Sequence, residues 1–108
     1  MELNCKEIQS RHSSRIFDKS KRVEEDIIDK ILYAATLAPS GKNLQPWRFR
    51  LITDKDLIFS VMEFLPNNRW IKTSDFIVMV YLELTESYDY IKDVMSVGAS
   101  IENMLLEA

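Results

Sequence analysis

Apolar positions recur along this chain with two periods, one near 3.6 residues and one near 2, and the switches between them lay out the elements. A short helix is expected over residues 3–10, ending where a run of five polar residues begins and reads as a loop. Ile27, Ile28, Ile31, Leu32 and Ala35 repeat at helical spacing behind Glu24, Glu25 and Asp26, whose charges favour a helix N-terminus, and Pro39 and Gly41 stop that helix. Trp47, Phe49 and Leu51 alternate with Arg48 and Arg50, as in a strand with one wetter face. Asp54 is placed to cap a third helix with the stripe Leu57, Ile58, Val61, Met62 and Leu65, closed by Pro66-Asn67-Asn68. Residues 76–82 are apolar throughout and rich in β-branched and aromatic side chains, which predicts a central strand covered on both faces by helices. From Tyr90 onward, Ile91, Val94, Met95, Gly98, Ile101, Met104 and Leu105 mark a long helix whose apolar face, with its glycine, is expected to pack closely on another element.

Two strands among four helices imply a small sheet with helices on each side. So small a sheet leaves both edges open to pairing, and the pattern of the long helix is still running at Glu107. The expectation is therefore a single incomplete domain over residues 1–108, the front portion of a larger one, without internal repeat, low-complexity tract or linker.

Charge changes the picture at one end. The net charge is −3, yet residues 1–22 hold six bases against three acids, so that end is locally positive and is where an anion would go. Trp47 and Trp70 are not interleaved with lysine runs and no broad basic stripe is present, which sets nucleic acid aside as a partner. Cys5 is the only cysteine, which excludes a disulfide framework and a multi-cysteine metal site and fits a reducing, cytoplasmic compartment. The longest apolar stretch is far short of the ~20 residues a membrane helix requires, so no membrane partner is expected.

The candidate chemistry lies in two polar segments. Arg11-His12-Ser13-Ser14-Arg15 offers two guanidinium forks that match phosphate oxygens bidentately, with short hydroxyl donors between them. Pro39-Ser40-Gly41-Lys42-Asn43-Leu44-Gln45-Pro46-Trp47, one helix later, has the composition of a polar loop for a flat heterocycle, and the side-chain amides of Asn43 and Gln45 both donate and accept. Plainer readings stand beside these. Arg11 and Arg15 are also explained as a solvated surface paired with Glu7 or Asp18, Ser13 and Ser14 as a turn, His12 as a surface histidine, and Asn43 and Gln45 as groups that satisfy loop backbone. Trp47 reads as core, and Met62, Met79, Met95 and Met104 as core filling.

The Arg11–Phe17 run, the segment from Ala38 through Trp47, the apolar strand after Trp70 and the helix over residues 98–108 together resemble the FMN-dependent nitroreductase family, in order and separation. The resemblance implies an α+β fold, a nitroreductase-like α/β sandwich with its central sheet flanked by helices, and an intertwined homodimer with FMN at its interface. Carried over by residue, it implies that Arg11, Ser13 and Arg15 hold the phosphate and ribityl tail, with contacts from His12 and Ser14. Pro39 and Ser40 would approach the isoalloxazine from the partner subunit, and Asn43 and Gln45 would bond ring or ribityl atoms. It further implies hydride transfer from NAD(P)H through FMN to a small electron-poor acceptor, a nitroaromatic, quinone or flavin, in a ping-pong cycle. The cofactor carries that chemistry, so no side chain is assigned as catalytic and no metal is expected. The alternatives are an FMN-binding module without turnover and an inactive folding or dimerisation unit.

Overall fold

The computed structural model describes residues 1–108 and turns these periods into four α-helices and two strands. They are α1 (Lys6–Ser10), α2 (Glu25–Thr36), β1 (Trp47–Ile52), α3 (Lys55–Glu63), β2 (Ile77–Leu82) and α4 (Tyr90–Glu107), with 3-10 turns at Gly41–Asn43, Arg69–Thr73 and Leu84–Glu86. The strands pair in a two-stranded sheet, so the class is α+β. No helix is long and apolar enough to cross a membrane. The chain forms two compact units, the first from residues 1–12, 24–48 and 80–108, the second from residues 13–23 and 49–79.

In the first unit α2 packs along α4. Ile28, Ile31 and Ala35 are buried on α2, as the period requires, whereas Ile27 is 44% exposed. On α4 the helix is where periodicity puts it, but the buried face is not the apolar one. Asp93, Ser96, Ser100 and Met104 are buried, while Ile91 is 71% and Met95 70% exposed, and Val94, Ile101 and Leu105 also face outward. Only Met104 of the expected stripe lies inside, and a Cβ built on Gly98 meets nothing within 4 Å, so that glycine serves no close contact here. The physical reason is the seam. Ser100 Oγ donates to the Ala35 carbonyl at 3.0 Å and Asn103 Nδ2 to the Ala34 carbonyl at 3.0 Å, so small polar residues bring the helices together and their polar atoms are satisfied. Ala38, Pro46 and Trp47 complete the core of this unit, with the Glu83 N–H donating to the Pro46 carbonyl at 2.7 Å.

In the second unit Asp54 caps α3 as expected, its carboxylate accepting the Asp56 and Leu57 N–H groups at 2.8 and 3.1 Å. Ile58 is the buried residue of α3, which packs against the Arg69–Thr73 turn. Phe17 and Trp70 pack with ring centroids 5.8 Å apart.

The strands depart from expectation in two places. Leu51 is 40% exposed and Ile52 is buried instead, so the inward face of β1 changes sides at its end. Residues 77–82 are half-buried or exposed rather than enclosed, because β2 has one strand neighbour and its apolar side chains are only partly covered. Met95 likewise leaves the core, whereas Met62 and Met79 are half-buried and Trp47 is buried as read.

A leucine at position 100 would have no room in the seam. Ser100→Leu is expected to destabilise the protein by about 1–3 kcal/mol, and Val94→Leu on the outward face by almost nothing, as read from urea midpoints.

Candidate functional site

The segment after α2 is held in an unusual backbone conformation. Lys42, Asn43 and Gln45 have φ of 54°, 53° and 52°, three non-glycine residues in the left-handed region within four positions. Each such residue costs about 1–3 kcal/mol and persists only where its surroundings over-determine it. Here Ser40 does most of the holding. Its Oγ accepts the Gln45 N–H at 3.0 Å and its carbonyl accepts the Asn43 N–H at 3.0 Å. The Gly41 carbonyl accepts the Leu44 N–H at 3.2 Å, the Gly41 N–H donates to Ser96 Oγ of α4 at 3.4 Å, and Arg48 donates to the Gln45 carbonyl at 3.2 Å. The side chains of Asn43 and Gln45 are exposed and take no part in this holding. Their amides therefore do not satisfy loop backbone, which removes the plainer reading of these two residues.

A second group of residues, not singled out by sequence, steadies the loop from the start of α4. A Cβ on Gly41 would come within 2.3 Å of the Tyr88 hydroxyl, so the glycine is required by close approach of that ring. Lys42 Nζ lies 4.5 Å and Lys92 Nζ 5.9 Å from the Tyr88 ring centroid, two ammonium groups on one aromatic ring. Tyr88 is itself set by Asp93, whose side chain is fully buried. Asp93 Oδ2 accepts from the Ser87 hydroxyl and from the Tyr88 and Asp89 N–H groups at 3.0 and 3.1 Å, while Oδ1 has no partner. The Ser87 hydroxyl above all, with the two N–H groups, holds the Asp93 carboxyl below its ordinary range against the upward push of burial. Asp89 caps α4, its carboxylate accepting the Lys92 N–H at 3.1 Å. Neither Asp93 nor Tyr88 carried a signal in the sequence, because the contact they set up is with a loop about fifty residues away. The cavity here, about 360 Å³, is bounded by Pro39, Ser40, Gly41, Tyr88, Lys92 and Met95, among others.

The arginine cluster divides between the two units, at His12 and Ser13, and each part is placed separately. In the first unit Arg11 closes α1 and its Nε lies 3.9 Å from a Glu102 carboxylate oxygen, and His12 Nδ1 lies 3.3 Å from the Ser10 carbonyl oxygen. In the second, Arg15 stands over the Trp70 ring at 5.3 Å, and Ser13 and Ser14 are exposed. The acids named as plain partners are occupied elsewhere. Glu7 accepts the Cys5 thiol at 3.4 Å, and Asp18 accepts the Ser20 N–H and hydroxyl at 2.9 and 2.6 Å. Arg11 thus has one long, partly exposed ion pair, worth little by itself, and Arg15 has a ring contact that leaves its N–H donors available. No group of three or more His, Cys, Asp or Glu side chains is placed to hold a metal ion.

The sequence pattern described as "Nitroreductase family" matches residues 8–108. A protein of Archaeoglobus fulgidus provisionally named NADH dehydrogenase/NAD(P)H nitroreductase is 36% identical over 114 residues, covering 100% of this chain and 62% of that protein. Among solved structures, a provisionally named NADH oxidase from Clostridium acetobutylicum superposes with a TM-score of 0.89 at 31% identity, covering 94% of this chain and 61% of its own. A provisionally named nitroreductase from Desulfovibrio desulfuricans, crystallised in complex with FMN, gives a TM-score of 0.86 at 29% identity over 100% of this chain and 63% of its own. The chain spans about three fifths of the length of these relatives.

Because the folded-state acidity of Asp93 is raised, the stability it contributes is present above the ordinary aspartate range and is lost as pH falls through its lower folded value. Wild-type protein is expected to lose stability more steeply than Asp93→Asn below about pH 4, in urea melts taken across acid pH; parallel curves would count against this role.

Proposed function

The chain belongs to the nitroreductase family, and on that premise we propose that it is an FMN-dependent oxidoreductase. It would take hydride from NAD(P)H and deliver electrons to a small electron-poor acceptor of the nitroaromatic, quinone or flavin type. The observation that carries this reading is the Ser40–Gln45 loop, whose strained backbone is braced from inside while the Asn43 and Gln45 amides are left unengaged. Strain maintained around unpartnered polar groups is what a preorganised ligand contact looks like.

The residues present fit FMN. Arg11, Ser13 and Arg15, alternate positions in a short polar run, would supply donors for its phosphate and ribityl tail, with His12 and Ser14 beside them in sequence. Asn43 and Gln45 suit the mixed donor and acceptor edge of the pyrimidine ring. Pro39 and Ser40 border the cavity beside that loop and would approach the isoalloxazine. When bound, FMN supplies the two-electron chemistry, in a ping-pong cycle with NAD(P)H and acceptor using the same ring face in turn. The protein's part is to bind and orient, and no side chain has to move a proton.

A homodimer is part of the same proposal. The outward stripe of Ile91, Val94, Met95, Ile101 and Leu105 on α4 is an apolar surface of the kind that copies of a chain bury against each other. Met95 also borders the cavity at Pro39 and Ser40, which fits a site shared between protomers. The exposed free thiol of Cys5 supports a reducing, cytoplasmic setting.

Arg15→Ala is expected to weaken FMN binding about tenfold or more, the worth of one charge-assisted contact, whereas Lys30→Ala on α2 leaves it unchanged. Flavin fluorescence titration decides this, and equal retention by both variants would remove the phosphate cradle. Bleaching of the bound flavin by NAD(P)H then separates an oxidoreductase from a module that only binds FMN. Met95→Glu is expected to convert dimer to monomer in sedimentation and to reduce FMN retention with it; a dimer that survives the charge would place the interface elsewhere.

A further inference from the structure

The second unit carries a cavity of about 260 Å³ that the flavin reading does not use. Five cations line it, Lys19, Lys21, Arg22, Lys55 and Lys72, against a single carboxylate, Asp75. Two of the five are fixed in place by that carboxylate. Arg22 donates to Asp75 Oδ1 at 2.9 Å, and Lys55 Nζ lies 3.5 Å from the same atom while donating to the Ser74 and Asp75 carbonyls at 3.0 Å each. Asp75 Oδ2 accepts the Val23 N–H at 2.8 Å, and that bond leads the set of contacts that keep this carboxyl below its ordinary range, so it is a charged fixture at neutral pH.

The other three cations are not compensated. Asp18, the sequence neighbour of Lys19 and Lys21, is committed to Ser20, and no carboxylate lies within ion-pair distance of Lys19, Lys21 or Lys72. The Thr73 and Ser74 hydroxyls donate to the Trp70 and Ile71 carbonyls, which leaves the ammonium groups as the free donors of the cavity. One wall is the ring of Phe59, 46% exposed.

We propose that this cavity binds a small phosphoanion carrying at least two negative charges, with Lys19, Lys21 and Lys72 as its direct ligands and Arg22, Asp75 and Lys55 as the frame that shapes it. Ammonium groups are compact, strongly hydrated point charges that suit phosphate oxygens, and a monoanion would leave most of the excess positive charge uncompensated. A concave site of this volume takes a small molecule, whereas a nucleic acid needs cations spread along a stripe.

Calorimetric titration of the protein with inorganic pyrophosphate at low ionic strength tests this. One saturable site is expected, weakened about tenfold or more in Lys21→Ala/Lys72→Ala, a loss of about 1.4 kcal/mol or more. The site should also weaken as salt screens it. Both lysines are exposed and free of partners, so the double variant should fold, and Lys30→Ala should bind as wild type does. Arg15→Ala should keep the pyrophosphate site while its FMN binding weakens, which separates failure of this proposal from failure of the flavin reading. ADP binding more tightly than pyrophosphate, with the difference lost in Phe59→Ala, would identify a ring-bearing ligand; equal affinities would identify a bare phosphoanion, and either supports the site. Absence of saturation at millimolar pyrophosphate, equal affinity in the lysine double variant, or loss of binding in Arg15→Ala would overturn it. So would a single-stranded oligonucleotide that binds these lysines where pyrophosphate does not saturate.

Discussion

Ala35 and Ser100 are both fully buried, and the contact between their helices is the constraint on which the rest of the first unit depends. Side chains this small let α2 and α4 approach closely, and the Ser100 hydroxyl closes the gap by donating to the Ala35 carbonyl. Close approach has a second effect at the end of the seam. Ser96, one turn nearer the start of α4, reaches the Gly41 N–H just past the end of α2, and the loop over residues 39–45 is thereby tied to the helix it faces. A wider seam made of leucines would separate those two groups, and the left-handed residues of the loop would lose part of what holds them.

The same seam decides which face of α4 is left over. Because serines, an aspartate and one methionine occupy the buried side, Ile91, Val94 and Ile101 are turned out, where their area stays uncovered. A helix that hides polar residues and presents apolar ones is under local conflict unless something covers it. The polar residues on the buried side carry little penalty, since Ser96, Ser100 and Asn103 all have partners, and the one unpartnered atom, Asp93 Oδ1, belongs to a carboxylate that otherwise organises the Ser87–Asp89 approach to the helix.

Buried or half-buried carboxylates do comparable work in each unit. Asp93 gathers a hydroxyl and two N–H groups and so places Tyr88 against Gly41, while Asp75 gathers Arg22, Lys55 and the Val23 N–H. Each uses one negative charge to fix groups that would otherwise repel or wander, and each leaves further cations near by without a carboxylate. The excess of positive charge over residues 1–22 is thus distributed by the fold: part of it is neutralised as framework and part is left free to meet an anion.

Element types and most boundaries were legible in the chain because they follow from short-range physics. The α2 and α3 helices, the Asp54 cap and the Pro39-Ser40-Gly41 stop depend on residues within a few positions and form where expected, although Ile27, Leu57 and Leu65 of the predicted stripes are exposed. The two polar segments were visible for the same reason, since neighbouring residues alone place guanidiniums beside hydroxyls and amides in one loop. Which face of α4 is inside, by contrast, is a contest between its own apolar stripe and a fit to α2 more than fifty residues away, and hydrophobic period weighs only the first. Likewise Gly41 needs Tyr88, Lys55 needs Asp75, and β2 stays half-covered because burial is a property of what lies against a strand. Distances along the chain set what each segment tends to be, whereas contacts across it set which surface is used and which groups remain free to bind.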